Sequence, residues 1–371
     1  MRVAAISHSA VVDAYREKFR LLSRRRSWDL HLILPHAWPE GGQDIAAPAG
    51  PAEGRLSLHV LRAQFRGSVG FLRYVGLRRL LLGLKPDLVY IEEEPYSLAT
   101  VQALRAADHL GVPAVAYSWE NLERRYRFPL QVALRWVLPR LAGLVAGSAQ
   151  TKQLFRAKLA SDARCLVQPQ YGVNTDRFRP HRRAGKAPLT VGYFGRLAPE
   201  KGVADLLRAA ALARWPLLIG GRGPEEDSLK ALARSLRLEA HFEGFVPYAR
   251  RQVFFRRLDA LVLPSRTTPQ WAEQFGRVLA EAMACGVPCV GSQSGAIPAV
   301  LGKAGLTFPE GDVQSLAARL ERLALSPALR RRLAREGRRR AVARFDEVAL
   351  VLELGAWLEN LAGLAARQAA A

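Results

Sequence analysis

The segment "AEQFGRVLAEAMACGVPCVGS" carries two glutamates, Glu273 and Glu281, eight residues apart, with Phe275 and Gly276 just after the first. Val278, Leu279, Ala282 and Met283 recur at helical spacing, so the segment reads as a helix from Phe275 with one buried face. Gly286 ends it and Pro288 prevents its continuation. Glu273 then lies on the loop before the helix N-terminus, and Glu281 about two turns along the helix. The open N–H groups of Phe275, Gly276 and Arg277 favour an anion, and Gly276 lets it come close. An anion beside carboxylates that accept hydroxyl protons describes a phosphorylated sugar. The spacing alone also fits a plainer pattern, with Glu273 as a cap and Glu281 facing solvent.

A second constellation weighs against that plainer pattern. "YFGRLAPEKGV" leaves a strand, turns at Gly195 and sets Arg196 and Lys201 around a Pro-Glu that starts a helix. Two cations and a helix start at the carboxyl end of a strand make a diphosphate clamp. "LIGGRGPEE", with Gly221 and Arg222, is another strand-Gly-helix turn that lets a flat ring or a phosphate approach the backbone.

The elements that must position these residues alternate along the chain. Strands are expected at Val3–Ile6, Leu30–Leu34, Leu88–Ile91, Val112–Tyr117 and Leu144–Ala146, with helices at Tyr15–Arg25, Phe71–Leu84, Leu98–Leu110 and Leu130–Leu141. A second alternation follows. Its strands open at "LTVGYFGRL" and recur at Pro216–Ile219, His241–Phe242 and Ala260–Leu263, separated by helices Val203–Leu212, Glu225–Leu236 and Arg250–Leu258. Such alternation predicts an α/β protein with two doubly wound parallel sheets, whose carboxyl-end loops would face a shared cleft. The polar stretch "NTDRFRPHRRAGKAPL" marks the boundary, giving an N-terminal domain 1–180, a C-terminal domain 181–345 and a C-terminal helix 346–371 packing back towards the first. "HAWPEGGQDIAAPAGPAEGR" reads as a loop or lid.

At 371 residues the chain suits two domains of roughly 150–200 residues, as chain lengths of this order do. Only three cysteines occur, Cys165, Cys285 and Cys289, in apolar contexts, so buried free thiols in a reducing compartment are expected instead of a disulfide framework. "MRVAAISHS" enters a strand directly, so no secretory leader is expected, and no uninterrupted apolar run predicts a membrane span. The formal charge is +22; residues 1–180 hold 26 basic and 15 acidic residues and residues 181–371 hold 29 and 18, so each half carries +11. Seven basic residues and no acid lie between Gly54 and Pro86, and ten arginines against Glu321 and Glu336 lie between Arg319 and Arg344. Patches of this kind bind phosphates of lipids, nucleotides or nucleic acid.

The whole chain resembles the family 4 glycosyltransferases, with the GT-B architecture of two Rossmann-like domains. "FGRLAPEKG", "GGRGPEE", "FEGFV", "VLPSRTTPQWAEQFGRVLAEAMACGVPCVGS" and "YGVNTDRFRP" carry the resemblance and occur in the family's order across most of the second half; the first half matches by strand pattern only. The resemblance implies that Arg196 and Lys201 hold the donor diphosphate and stabilise the leaving group. It implies that Glu273 orients the transferred sugar, that Glu281 holds the ribose, and that the N–H groups of Phe275 and Gly276 complete the phosphate site. The base would lie against the turns with Gly221, Arg222, Phe245 and Val246. A UDP- or GDP-sugar is the implied donor, a glycan or lipid-linked acceptor its partner, and the reaction retaining and metal-independent, without a cofactor. No Asp-x-Asp motif or metal-ligand spacing of histidines occurs.

Departures matter. Where the family commonly has Gly-Gly-x-Pro-Glu, "SGAIPAV" has Ala296 and Ala299, which removes one carboxylate contact. The usual histidine of the first domain is replaced by "YSWENLERR", so Glu120 or Asn121 are candidates for its hydrogen-bonding task, with an acceptor-shaping loop as the alternative. His8, in "ISHSA", is a further acceptor-side candidate. A nucleic-acid-binding basic protein is the runner-up from another class, but the chain lacks interleaved surface aromatics and a binding motif. Another GT-B enzyme, a sugar-nucleotide epimerase or a phosphorylase, is the narrower rival. "LRAQFRGSVGFLRYVGLRRLLLGLK" reads either as a helix with outward arginines or as a face that docks on an anionic membrane surface, making the enzyme cytoplasmic and peripheral.

Overall fold

The computed structural model describes residues 1–40, 43–159, 164–181 and 189–370. Two compact units form, Met1–Tyr171 with Val348–Ala371 and Gly172–Glu347. The division falls before the expected boundary because Val173 and Phe178 are fully buried in the core of the second unit. "YGVNTDRF" is therefore structure of that unit; residues 182–188 of the expected linker lie outside the described residues.

In the first unit the strands are β1 (Arg2–Ile6), β2 (Asp29–Pro35), β3 (Ala37–Glu40), β4 (Gln43–Ala46), β5 (Ala52–Glu53), β6 (Leu56–Leu61), β7 (Ala63–Gln64), β8 (Arg73–Tyr74), β9 (Leu88–Ile91), β10 (Ala114–Ser118), β11 (Gly143–Ala146) and β12 (Cys165–Val167). Eight of them make one sheet in the order β12-β11-β10-β9-β1-β2-β6-β5, parallel apart from the last pair. Its buried strands are near-continuous apolar runs, as a sheet covered on both faces requires. The helices are α1 (Asp13–Ser23), α2 (Leu77–Leu84), α3 (Leu98–Leu110), α4 (Leu130–Val137) and α5 (Ala149–Phe155).

Two expectations fail here for physical reasons. The Pro/Gly-rich stretch after His36 is no bare loop, because β3 and β4 pair antiparallel with Trp38 opposite Ile45, and Trp38 buries in the core. The basic tract Leu61–Lys85 is not one helix. Glycines at positive φ interrupt it, Gly67 at 84° and Gly76 at 84°, so β7 pairs β8 and only α2 is helical. In α2, Leu77 and Leu81 face the core while Arg78 and Arg79 are exposed.

The second unit holds β13 (Val191–Phe194), β14 (Leu217–Gly220), β15 (Ala240–Gly244), β16 (Ala260–Leu263), β17 (Cys289–Ser292) and β18 (Gly305–Phe308), a parallel sheet in the order β15-β14-β13-β16-β17-β18. Helices α6 (Val203–Ala213), α7 (Glu226–Ser235), α8 (Arg251–Phe255), α9 (Arg277–Ala284), α10 (Ile297–Leu301), α11 (Val313–Leu325) and α12 (Pro327–Phe345) connect and cover it. The last helix, α13 (Glu347–Ala370), contributes Val351, Leu354, Leu358 and Leu361 to the core of the first unit. By length and composition its stretch Glu347–Ala365 is apolar enough to cross a bilayer, although no apolar run in the sequence announced one. The three thiols are free; Cys285 and Cys289 are buried as expected, Cys165 only half-buried.

Candidate functional site

In an open parallel sheet the strand order reverses at a switch point, and the loops leaving the carboxyl ends there frame a crevice. In the second unit that point lies between β13 and β16. Three successive turns are tied edge to edge beside it. Gly195 N–H donates to Gly220 O at 3.0 Å, Gly221 N–H to Gly244 O at 2.7 Å, and Leu197 N–H to Arg222 O at 2.9 Å. Only glycine fits at 221, with φ at 122° and a Cβ that would stand 1.8 Å from the Gly195 carbonyl oxygen.

These turns present Arg196 and Arg222, both exposed, and Phe245, 68% exposed, above buried Val246. The Arg196 side chain pairs with none of the described residues. After a short turn, Pro199–Lys201, the backbone passes so close to β16 that a Cβ on Gly202 would meet Pro264 O at 2.1 Å. Arg266 clamps the same junction, with Nε and Nη2 on the two oxygens of buried Asp205 at 2.7 and 2.6 Å.

Lys201 and Glu273 meet there. Lys201 Nζ donates to Glu273 Oε2 at 2.8 Å, Ser265 Oγ donates to the same oxygen at 2.9 Å, and Nζ sits 4.2 Å from the centre of the Trp271 ring. The "SGAIPAV" turn fixes Glu273 from behind, because Ala296 N–H donates to its carbonyl at 2.8 Å. Gly276, at φ 69°, precedes α9 with no side-chain cap, and among the described residues the N–H groups of Phe275 and Gly276 have no acceptor. The expected anion seat is therefore geometrically present.

Glu281 departs from the solvent-facing alternative. It is 1% exposed, with Arg277 Nε at 3.2 Å and Arg251 Nη1 at 3.3 Å from its Oε1. Tyr248 lies under both guanidinium groups, 5.3 Å from Arg251 and 5.4 Å from Arg277. Sequence reasoning missed Arg251, Tyr248, Ser265 and Trp271. Ser265 directly ends the apolar run of β16, a legible signal; nothing local marks the others.

In the first unit the sequence missed more. Three fully buried glutamates, Glu92, Glu93 and Glu94, follow β9 directly. An acidic tripeptide abutting an apolar strand was the available signal. Glu92 pairs with buried Lys18 and accepts from Tyr90 Oη at 2.8 Å. Glu94 accepts from Ser118 Oγ at 2.6 Å and Trp119 N–H at 2.9 Å, and burial pushes its carboxyl up to about 8. Glu93 binds His8, whose Nδ1 lies 2.6 Å from Glu93 Oε2. Glu120 is committed to its own loop, accepting from Leu122 N–H at 3.1 Å and Tyr126 Oη at 2.8 Å, with Arg124 Nε at 3.0 Å. Asn121, beside it, is half-buried.

Residues 174–340 match the family described as glycosyl transferases group 1. The chain is 31% identical over 327 residues to the phosphatidyl-myo-inositol mannosyltransferase of Mycobacterium leprae, covering 81% of this chain and 83% of that one. It is 28% identical over 333 residues to the glycogen synthase of Mycobacterium tuberculosis, covering 83% and 77%. Among solved structures it is similar to the sucrose-phosphate synthase of Thermosynechococcus elongatus, with a TM-score of 0.76 at 18% identity over 97% and 99% of the two chains. It is also similar to Anabaena HepE in complex with UDP, with a TM-score of 0.74 at 18% identity over 97% and 100%. The α/β fold is that of the GT-B glycosyltransferases, and the chain belongs to the group 1 glycosyl transferases.

Proposed function

We propose that the protein is a metal-independent, retaining glycosyltransferase of family 4 that moves a hexose from a UDP- or GDP-sugar to a glycan or lipid-linked acceptor in polysaccharide or cell-envelope synthesis. The observation that carries this reading is the Lys201–Glu273 pair at the switch point of the second sheet, with Arg196 unpaired on the adjoining turn. Breaking a glycosyl phosphate builds negative charge on the departing diphosphate, and fixed cations lower that barrier without a metal ion. Glu273, held by Lys201 and Ser265, offers its carboxylate to sugar hydroxyls. Glu281 serves the ribose, and Gly221, Arg222, Phe245 and Val246 serve the base. The names of several relatives support the acceptor class: one acts on phosphatidyl-myo-inositol, and another is an O-antigen chain mannosyltransferase of Escherichia coli.

Screening hydrolysis of UDP- and GDP-sugars tests the donor, and NMR of the product anomer tests retention. Activity abolished by EDTA and restored by Mg²⁺ or Mn²⁺ would count against metal independence. A thermal shift with UDP or GDP but not with duplex DNA separates the enzyme from a nucleic-acid-binding protein. We further propose that the exposed Arg62, Arg73, Arg78, Arg79 and Lys85 of the first unit favour an anionic membrane surface, placing the enzyme at the cytoplasmic face as a peripheral protein.

A further inference from the structure

The first sheet also has a switch point, between the adjacent parallel strands β1 and β9. Each strand delivers one reactive group just past its carboxyl end, His8 after β1 and Glu93 after β9. The two are joined twice: His8 N–H donates to Glu93 Oε1 at 2.8 Å, and the His8 ring contacts Oε2 at 2.6 Å through Nδ1. Tyr74 Oη also donates to Oε1, at 3.1 Å. Burial holds the Tyr74 phenol well above its ordinary value, so it stays a donor. Two donors thus occupy Oε1, which leaves Oε2 to accept from the ring. The ring proton accordingly sits on Nδ1, and Nε2 presents a lone pair.

That lone pair is unused within the protein. Nε2 makes no hydrogen bond with any of the described residues. Two indoles flank the ring, Trp38 with centroids 4.2 Å apart and Trp119 edge-on at 6.0 Å. Aromatic walls with one placed polar group are what a sugar-sized ligand needs from its pocket. A merely structural histidine would spend both nitrogens on the protein.

We propose that His8 is the base for the acceptor hydroxyl and that Glu93 is the positioning residue that sets its tautomer. This rests on the glycosyltransferase reading. On either stereochemical course the acceptor oxygen must lose its proton. The acceptor oxygen bonds to the anomeric carbon, the bond from that carbon to the diphosphate breaks, and its electron pair leaves on the diphosphate. The acceptor's proton passes to Nε2, and the imidazolium is stabilised by the Glu93 carboxylate.

Glu93→Gln separates this role from a packing role. With His8 N–H and Tyr74 O–H both needing an acceptor at the Oε1 position, the amide oxygen must go there, and its NH₂ faces Nδ1. The hydrogen-bond count survives, but the ring proton moves to Nε2. Nitrogen-15 NMR of the full-length protein should show His8 protonated on Nδ1 in the wild type and on Nε2 in Glu93→Gln. Turnover is read with UDP-glucose and GDP-mannose, using both water and octyl glucoside as acceptor probes. His8→Ala and Glu93→Gln should each lower turnover on the order of 10²-fold, and the double variant should fall no further than His8→Ala. UDP or GDP affinity should stay unchanged in all three. Should His8→Ala fail to fold, His8→Gln takes its place. Turnover within threefold of wild type in either single variant would mean that the leaving phosphate takes the proton, and would overturn the proposal. A wild-type ring protonated on Nε2 would overturn it as well. A wild type that binds neither UDP nor GDP would instead defeat the donor assignment, which the NMR result does not touch.

Discussion

At the scale of single residues, the donor-side carboxylates and cations come in two kinds that must be tested differently. Lys201 and Arg196 act on charge that develops in the transition state, so Lys201→Ala or Arg196→Ala should lower kcat on the order of 10²-fold or more. Steady-state kinetics checks this, and near-wild-type turnover in both variants would remove the clamp from the site. Glu281 is another matter. Truncating it leaves Arg251 and Arg277 facing each other without their shared carboxylate, and removing one partner of a buried pair costs about 3–5 kcal/mol. Glu281→Ala should therefore appear first as a large drop in the urea midpoint, and Glu281→Gln is the better probe of ribose binding through the KM for donor. The residue-level roles were partly legible in sequence. Glu273, Arg196 and Lys201 stand next to Gly and Pro punctuation that betrays their turns, whereas Arg251 reaches Glu281 only through packing of α8 on α9, which no spacing encodes.

At the scale of elements, the ends of strands carry the function and also the strain. Replacing Gly221 with Ala would drive a Cβ into the Gly195 carbonyl. The three tied turns would have to part, at a cost of at least about 2 kcal/mol, and donor binding should weaken with stability. Calorimetry with and without UDP measures both. At the end of β9, Glu94 gives a pH signature. Its carboxyl is raised from 4.5 to about 8 in the folded protein, so the native state holds a proton that the unfolded chain releases. That contribution is complete below about 4.5 and is lost as pH rises through about 8. Urea midpoints should fall over that window, and Glu94→Gln should flatten the slope. Strands with uniform apolar character, such as Leu88–Ile91 and Ala260–Leu263, were readable to the residue, and so was helix Leu98–Leu110. The β3–β4 pair and the β7–β8 pair were not, because Pro and Gly density outweighs alternation when strands are this short.

At the scale of the whole molecule, the positive charge makes its own prediction. Co-sedimentation with anionic vesicles should exceed that with neutral ones and weaken as salt rises, since surface charges are screened beyond ~10 Å at 0.1 M. Equal sedimentation on both, or none, would leave the arginines as a solvated face. The return of α13 to the first unit has a separate consequence. The chain leaves that unit after Tyr171 and re-enters it at Val348, so one folding unit is spliced into the sequence of another. Its two ends are stitched together, Glu347 N–H to Val173 O at 3.0 Å and Val173 N–H to Phe345 O at 2.8 Å. During synthesis the inner unit therefore has every residue it needs while the outer one still awaits the helix that closes its core. Ribosome-stalled chains ending near residue 347, once extruded, should show a protease-resistant fragment from the inner unit and a digestible N-terminal half. Release of the final helix should make the second fragment resistant too. A birth order is thus written into the topology, with the donor half finished first.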